Sequence, residues 1–273
     1  MTIDESQNPD HLGDPVTDDT PADATPADDD AIDFGFRQVH RADKAGLVRD
    51  VFDSVANRYD LMNDLMSGGV HRLWKAAMID WMAPQPHQTL IDLAGGTGDI
   101  SQRFLRAGGG FAHITDINEA MLTAGKKRRD LKALASQMDW CNANAEQLPF
   151  ADHSADFVTI AFGLRNVTNR EAALAEAYRV LKPGGRFLCL EFSQVDNAIL
   201  KRLYDTWSFS ILPHMGQMVA GDADSYRYLV ESIRQFPRKE VLADMFAAAG
   251  FAQVRVRSMT GNIACIHSGW KMD

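Results

Sequence analysis

The octapeptide Asp92-Leu93-Ala94-Gly95-Gly96-Thr97-Gly98-Asp99 constrains this chain more than any other feature. It follows an apolar run, Thr89–Leu93, and opens a helical pattern. Glycines at a strand-to-helix junction let the backbone turn tightly and approach a ligand with no Cβ in the way. Such a junction lies at the carboxyl end of a strand, where open α/β sheets bind their ligands.

The rest of the chain agrees. His113–Ile117, Phe157–Phe162 and Phe187–Leu190 read as further buried strands, and Met138–Asn142 as a weaker one. Helical patterns lie between them. The clearest is 169–181, with Thr168 and Glu171 at capping-box spacing and Lys182-Pro183-Gly184-Gly185 as a stop. This alternation predicts an α/β fold: a mostly parallel, Rossmann-like sheet with helices on both faces. A helix near 238–249 and two runs, Gln253–Met259 and Asn262–Ser268, around Thr260-Gly261 predict an antiparallel closing strand. Residues 34–88 read as N-terminal helices, through Leu47, Val51, Val55, Tyr59 and Met62, ended by Pro84 and Pro86. The aromatic-rich segment 196–235 reads as a helical insertion after the fifth strand, on the substrate side. Its Tyr204, Trp207 and Phe209 suit either a lipid tunnel or ordinary core packing.

Charge is uneven. Residues 1–36 carry eleven acidic residues and no Lys or Arg, so a net charge of −9 becomes +2 once they are set aside. Residues 1–33 therefore read as an acidic disordered tail, and 34–273 as a single domain. A nearly neutral remainder with no basic cluster argues against nucleic acid as a partner. Three scattered cysteines read as reduced thiols, and the eight histidines show no metal-ligand spacing, so no metal is expected. With no leader pattern and no apolar run of membrane-spanning length, the expectation is a cytoplasmic protein.

Asp116 ends the second strand, eighteen residues beyond Gly98, where a carboxylate accepts hydrogen bonds from the two hydroxyls of a ribose. A glycine loop with a ribose acid points to an adenosine-containing ligand. A dinucleotide loop needs a third glycine or alanine, where Ser101 stands, and no Gly-Lys-Ser/Thr follows for a Walker loop. Asp99 places negative charge at the helix N-terminus, where a phosphate would sit. S-adenosyl-L-methionine carries adenosine without phosphate, and its ammonium suits a carboxylate such as Asp92 or Asp99. Gly95, Gly96 and Thr97 are its expected loop contacts.

Through Asp92–Asp99, Asp116 and Leu181–Gly185 the chain resembles class I methyltransferases. It is still more similar to the ubiquinone/menaquinone biosynthesis C-methyltransferase family (UbiE/MenG). That resemblance rests on Phe52–Ala56, Met62–Ser67, His71-Arg72-Leu73-Trp74-Lys75, Asn144-Ala145-Glu146 and Phe162-Gly163-Leu164-Arg165-Asn166-Val167-Thr168. Ala223–Leu229 and His267–Trp270 extend it over most of residues 34–271.

The resemblance implies cofactor contacts at Thr97, Asp116 and Asn144-Ala145. It implies a polyprenylated quinol as acceptor, either a 2-polyprenyl-6-methoxy-1,4-benzoquinol or a demethylmenaquinol. Arg165 and Asn166 would orient the quinol oxygen or a water, with Asp116 assisting. Arg165, a donor with no acceptor capacity, suits stabilisation of a developing phenolate better than proton removal. A structural salt bridge is the alternative for it. Where the family often has Ser before the Phe-Gly-Leu-Arg run, this chain has Ala161. Asp53, Tyr59, His71 and Trp74 are expected to form a lid. The implied partners are the prenylated quinol, the inner face of a membrane or a quinone-synthesis complex, and a second copy of the chain. The rival readings are a small-molecule O- or N-methyltransferase of the same fold and a non-catalytic subunit of such a complex.

Overall fold

The computed structural model describes residues 30–55, 64, 67–195, 202 and 223–273. Seven strands form one sheet, in the order β5-β4-β3-β6-β7-β9-β8. They are β3 (Thr89–Leu93), β4 (Phe111–Asp116), β5 (Met138–Asn142), β6 (Ala155–Ala161), β7 (Leu181–Phe192), β8 (Ala252–Met259) and β9 (Ala264–Trp270). β9 runs antiparallel to both neighbours, and the other pairings are parallel.

Both faces of the central strands β3 and β6 are buried, which is why these strands read as continuous apolar runs. Alternate residues serve opposite faces. Leu90, Leu188 and Leu190 pack with Trp74, Met78 and Phe104 on one side. Ile91, Phe187 and Cys189 pack with Leu174, Leu242 and Phe246 on the other. The helices that supply these partners are α2 (His71–Met82), α3 (Asp99–Arg106), α5 (Arg170–Val180) and α7 (Lys239–Ala248). Two more, α1 (Arg41–Val55) and α6 (Ala223–Gln235), lie with a two-stranded hairpin of β1 (Ala31–Phe34) and β2 (Arg37–His40). The short helix α4 (Glu119–Lys126) follows β4, its Leu122 packed in the same core as Leu90.

Three expectations need correction. Asn169, not Thr168, caps α5: its side chain accepts from the Ala172 amide at 3.0 Å. The breakers Lys182–Gly185 lie inside β7 as an irregularity. The register passes from Ala155 opposite Leu181 to Phe157 opposite Arg186, and Gly184 takes a left-handed φ of 77°. β1 begins at residues expected to belong to the tail, and its Phe34 is part of the core. Most of the aromatic insertion, including Tyr204, Trp207 and Phe209, lies outside the described residues, as do residues 1–29 and Tyr59.

Candidate active site

The chain order of the sheet reverses between β3 and β6, so their carboxyl ends border the crevice where such folds take ligands. Ala94 and Phe162, each just past its strand, have left-handed φ values of 47° and 59°. Strain of this kind, about 1–3 kcal/mol per residue, persists where packing over-determines the backbone, and it clusters at functional sites.

Asp92 braces the loop from beneath. Its Oδ1 accepts from the Thr159 hydroxyl at 2.8 Å and its Oδ2 from the Ser101 hydroxyl at 2.9 Å. It therefore ties β3 to β6 and to α3, and burial pushes its carboxyl up to about 6. Above it, Gly98 turns the chain into α3 with φ of 81°, where a Cβ would stand 2.9 Å from the Trp140 indole. The Gly96 amide donates to Asp116 Oδ2 at 2.9 Å, and the Asn118 amide donates to Oδ1 at 2.8 Å. Asp116 thus joins the loop to the end of β4. Burial raises its carboxyl to about 6, against those amide hydrogen bonds.

Gly96, Asp116 and Asn118 border a solvent-open cleft. Gly96, Asp116, Asn144, Ala145 and Asn166 all line it, with Val48 and Phe52 of α1 on the opposite wall. Gly95 and Thr97 line an adjoining recess that shares Ala94 with the cleft. Lys75 and Asp99 complete that recess, with Nζ and Oδ2 2.8 Å apart. Burial alone would raise the Asp99 carboxyl, but Lys75 and Arg103 hold it below its ordinary value.

Adenosine fits this arrangement. An ionised carboxylate has about four lone-pair positions, so Asp116 has room for hydroxyl donors beyond its amide bonds. Apolar Ile117 and Met121 lie beside it. The recess next to the loop is lined by Lys75 and by the carboxyls of Asp92 and Asp99, charges that suit the carboxylate and ammonium of an amino-acid end group.

Arg165 lines neither space. Its side chain is 0% exposed and is paired with Glu191, itself 1% exposed, at 2.9 Å. Nη1 also donates to the Phe162 carbonyl at 2.6 Å, while Nε and Nη2 have no hydrogen-bond partner among the described residues. The expected lid is not seen among the described residues. Trp74 is a core residue whose Nε1 donates to Thr260 Oγ1 at 2.8 Å, and buried His71 bonds Asp64. Asp53 accepts from the Asn118 amide side chain at 2.8 Å.

Sequence reasoning did not single out Lys75, which lines the recess, or Glu191 and Tyr228, which bond Arg165 and Asn166. The signal was present for Glu191: it is a charge within the apolar run Phe187–Phe192, and such a charge is almost never buried unpaired. Tyr228 lies in the motif Ala223–Leu229, but nothing local to it points to Asn166.

The seven-stranded sheet, its glycine loop and the acid at the end of β4 define a class I S-adenosylmethionine-dependent methyltransferase. Solved structures share the fold. Phosphoethanolamine N-methyltransferase 2 of Haemonchus contortus, in complex with phosphomonomethylethanolamine and S-adenosylhomocysteine, superposes with a TM-score of 0.60. It is 14% identical, over 82% of this chain and 60% of that one. A SAM-dependent methyltransferase from Aquifex aeolicus gives 0.55 at 14% identity, over 80% of this chain and 97% of that one.

The sequence narrows the class. The model of the ubiE/COQ5 methyltransferase family matches residues 37–271, and the chain belongs to that family. A ubiquinone/menaquinone biosynthesis C-methyltransferase UbiE of Cereibacter sphaeroides is 57% identical over 240 residues, 88% of this chain and 96% of the relative. One from Brucella abortus is 56% identical over 243 residues, covering 88% and 90%.

Proposed function

We infer that the protein moves the methyl group of S-adenosylmethionine to a ring carbon of a polyprenylated quinol, in ubiquinone or menaquinone biosynthesis. The observation that carries this reading is the 57% identity to a named C-methyltransferase over 96% of its length. The cleft supports it, because Gly96, Asp116, Asn144, Ala145 and Asn166 stand around one space.

When bound, S-adenosylmethionine supplies an electrophilic methyl on a sulfonium. This chain's residues do the positioning, which is worth about 7–11 kcal/mol for well-aligned reactants. Asp116 takes the ribose hydroxyls, and Asn144-Ala145 lies where the adenine would be. Lys75 and Asp99 suit the methionyl carboxylate and ammonium. On the acceptor side, apolar Val48, Phe52 and Phe162 exclude water from the ring. Asn166 presents an amide to the quinol oxygen. Arg165 stands behind it as a buried cation with two unused donors, a cost of about 1–3 kcal/mol per unsatisfied group unless an oxygen takes them. A positive charge there favours ionisation of the phenol, and the phenolate is the form that pushes electron density onto the ring carbon. The new carbon–carbon bond forms as the sulfur–methyl bond breaks with its electron pair on sulfur. The ring proton then leaves to a base or a water.

A quinol has the electron-rich ring this step needs, and a quinone does not. Among the described residues no helix is long and apolar enough to cross a membrane, so we assign the approach to a lipophilic acceptor to peripheral contact. Methyl-labelled S-adenosylmethionine, offered with short-chain benzoquinol and demethylmenaquinol in both redox states, tests this. Label on the ring carbon of a quinol alone is the expected result, and it names the acceptor. Cofactor binding with no labelled quinol would move the protein to another acceptor class or to a non-catalytic role. Sedimentation with anionic liposomes tests the peripheral contact.

A further inference from the structure

Asn166 is the polar side chain on the acceptor wall of the cleft, and its orientation is set from behind. The Tyr228 hydroxyl donates to Asn166 Oδ1 at 3.1 Å. With the amide oxygen occupied, both amide N–H groups remain for the cleft that Asn166 lines. Tyr228 is itself fixed. Its ring stacks on Phe34 of β1, with centroids 4.2 Å apart and planes at 21°. The hairpin holds the helix that carries Tyr228: the Phe36 amide donates to Glu231 Oε2 at 3.0 Å, and Gln235 Nε2 donates to the Gly35 carbonyl at 3.2 Å. Gly35, at φ of 59°, presses so closely on α6 that a Cβ there would overlap the Glu231 side chain. Burial raises the Tyr228 phenol well above its ordinary range, even beside Arg165 and Arg170, so the hydroxyl stays a donor.

We propose that Tyr228 is a positioning residue for methyl transfer, holding the Asn166 amide toward the acceptor while the β1–β2 hairpin holds Tyr228. The proposal rests on the reading of Asn166 as an acceptor-side group. A purely structural tyrosine would use its ring in the core, and loss of the hydroxyl would leave turnover unchanged. A positioning tyrosine needs the oxygen, because misplacement of a reacting group by an ångström costs up to about a hundredfold in rate.

The test measures kcat with a quinol acceptor and the Kd of S-adenosylhomocysteine for Tyr228→Phe, Asn166→Ala and the double variant. Melting temperature serves as the folding control. The expected result is a fall in kcat of about 10–100-fold for Tyr228→Phe, with the Kd within twofold of wild type. The double variant should be no slower than Asn166→Ala alone, since the two residues act as one unit. Phe34→Leu, which loosens the same ring without touching the hydroxyl, should give a smaller fall of the same kind. Full kcat in Tyr228→Phe beside an impaired Asn166→Ala would overturn the proposal and leave the acceptor reading standing. Independent, multiplying losses would also overturn it. Full kcat in Asn166→Ala would overturn both. A Tyr228→Phe protein that melts much earlier and loses cofactor affinity as well would assign the residue to the core instead.

Discussion

Glu191 holds both the backbone and the side chain of Arg165: Oε1 accepts from the backbone amide at 3.1 Å and Oε2 accepts from Nη1 at 2.9 Å. The pair sits in the core, so removing one charge strands the other. Loss of one partner of a buried pair costs about 3–5 kcal/mol, far more than a surface pair is worth. Glu191→Gln should therefore lower the urea unfolding free energy by about 3 kcal/mol or more. Quinol methylation should fall further than the stability loss explains, at a temperature where the variant is folded. A variant as stable as wild type would mean that the pair is not closed in solution.

Asp116 and Asp92 make the loop sensitive to acid. Burial raises both carboxyls from 3.8 to about 6. Between these values the unfolded chain has released its protons and the folded chain has kept them. These two carboxyls should thus contribute stability that is lost as pH rises from about 4 to 6, seen for Asp116 as the difference between wild type and Asp116→Asn in the ligand-free state. Cofactor binding should go the other way, because ribose hydroxyls donate to the ionised form of Asp116. Titration calorimetry should show S-adenosylhomocysteine binding more weakly below about pH 6. Asp116→Asn should bind weakly at all pH values and lose that dependence. An unchanged pH profile in the variant would move the effect to Asp92.

Lys75 and Asp99 face each other in the recess beside Thr97, and Arg103 also reaches Asp99, at 3.1 Å. Arg103 can keep Asp99 neutralised while Lys75 turns to a ligand carboxylate. Lys75→Met should weaken S-adenosylhomocysteine about tenfold or more, in the range of a lost charged hydrogen bond. It should leave 5′-methylthioadenosine, which lacks the amino-acid end, nearly unchanged. Equal weakening of both would assign Lys75 to holding the loop.

Gly98 has both a positive φ and a wall against its missing Cβ. Gly98→Ala forces a left-handed alanine and pushes on Trp140 at 2.9 Å. Destabilisation of about 1–3 kcal/mol is expected, with a matching loss of cofactor affinity. Adding Trp140→Leu should recover only the steric part. Full recovery would show that the backbone at this turn is not constrained.

Much of this protein is readable along the chain. β5 occupies its expected span, Met138–Asn142, although Asp139 and Asn142 made it the weaker candidate. β3 and the glycine loop were equally legible. Of β7 only Phe187–Leu190 was legible, since Pro183 and Gly184 look like terminators until the bulge against β6 accommodates them. Trp74 and His71 looked like a lid because motif residues draw functional readings, whereas burial depends on what packs over α2.

Taken alone, the sequence determined the parallel sheet, the adenosine-type loop, Asp116 as its carboxylate partner and the family. Those features rest on local periodicity, on backbone freedom at glycines and on motif spacing, which all lie within a few dozen residues. The tertiary structure decided that Arg165 is locked to Glu191 and that Tyr228 reaches Asn166 across 62 residues of chain. It also set Lys75 opposite Asp99, 24 residues away. Contacts between segments far apart in the chain leave no periodicity behind, because their partners are chosen by how the packed elements meet.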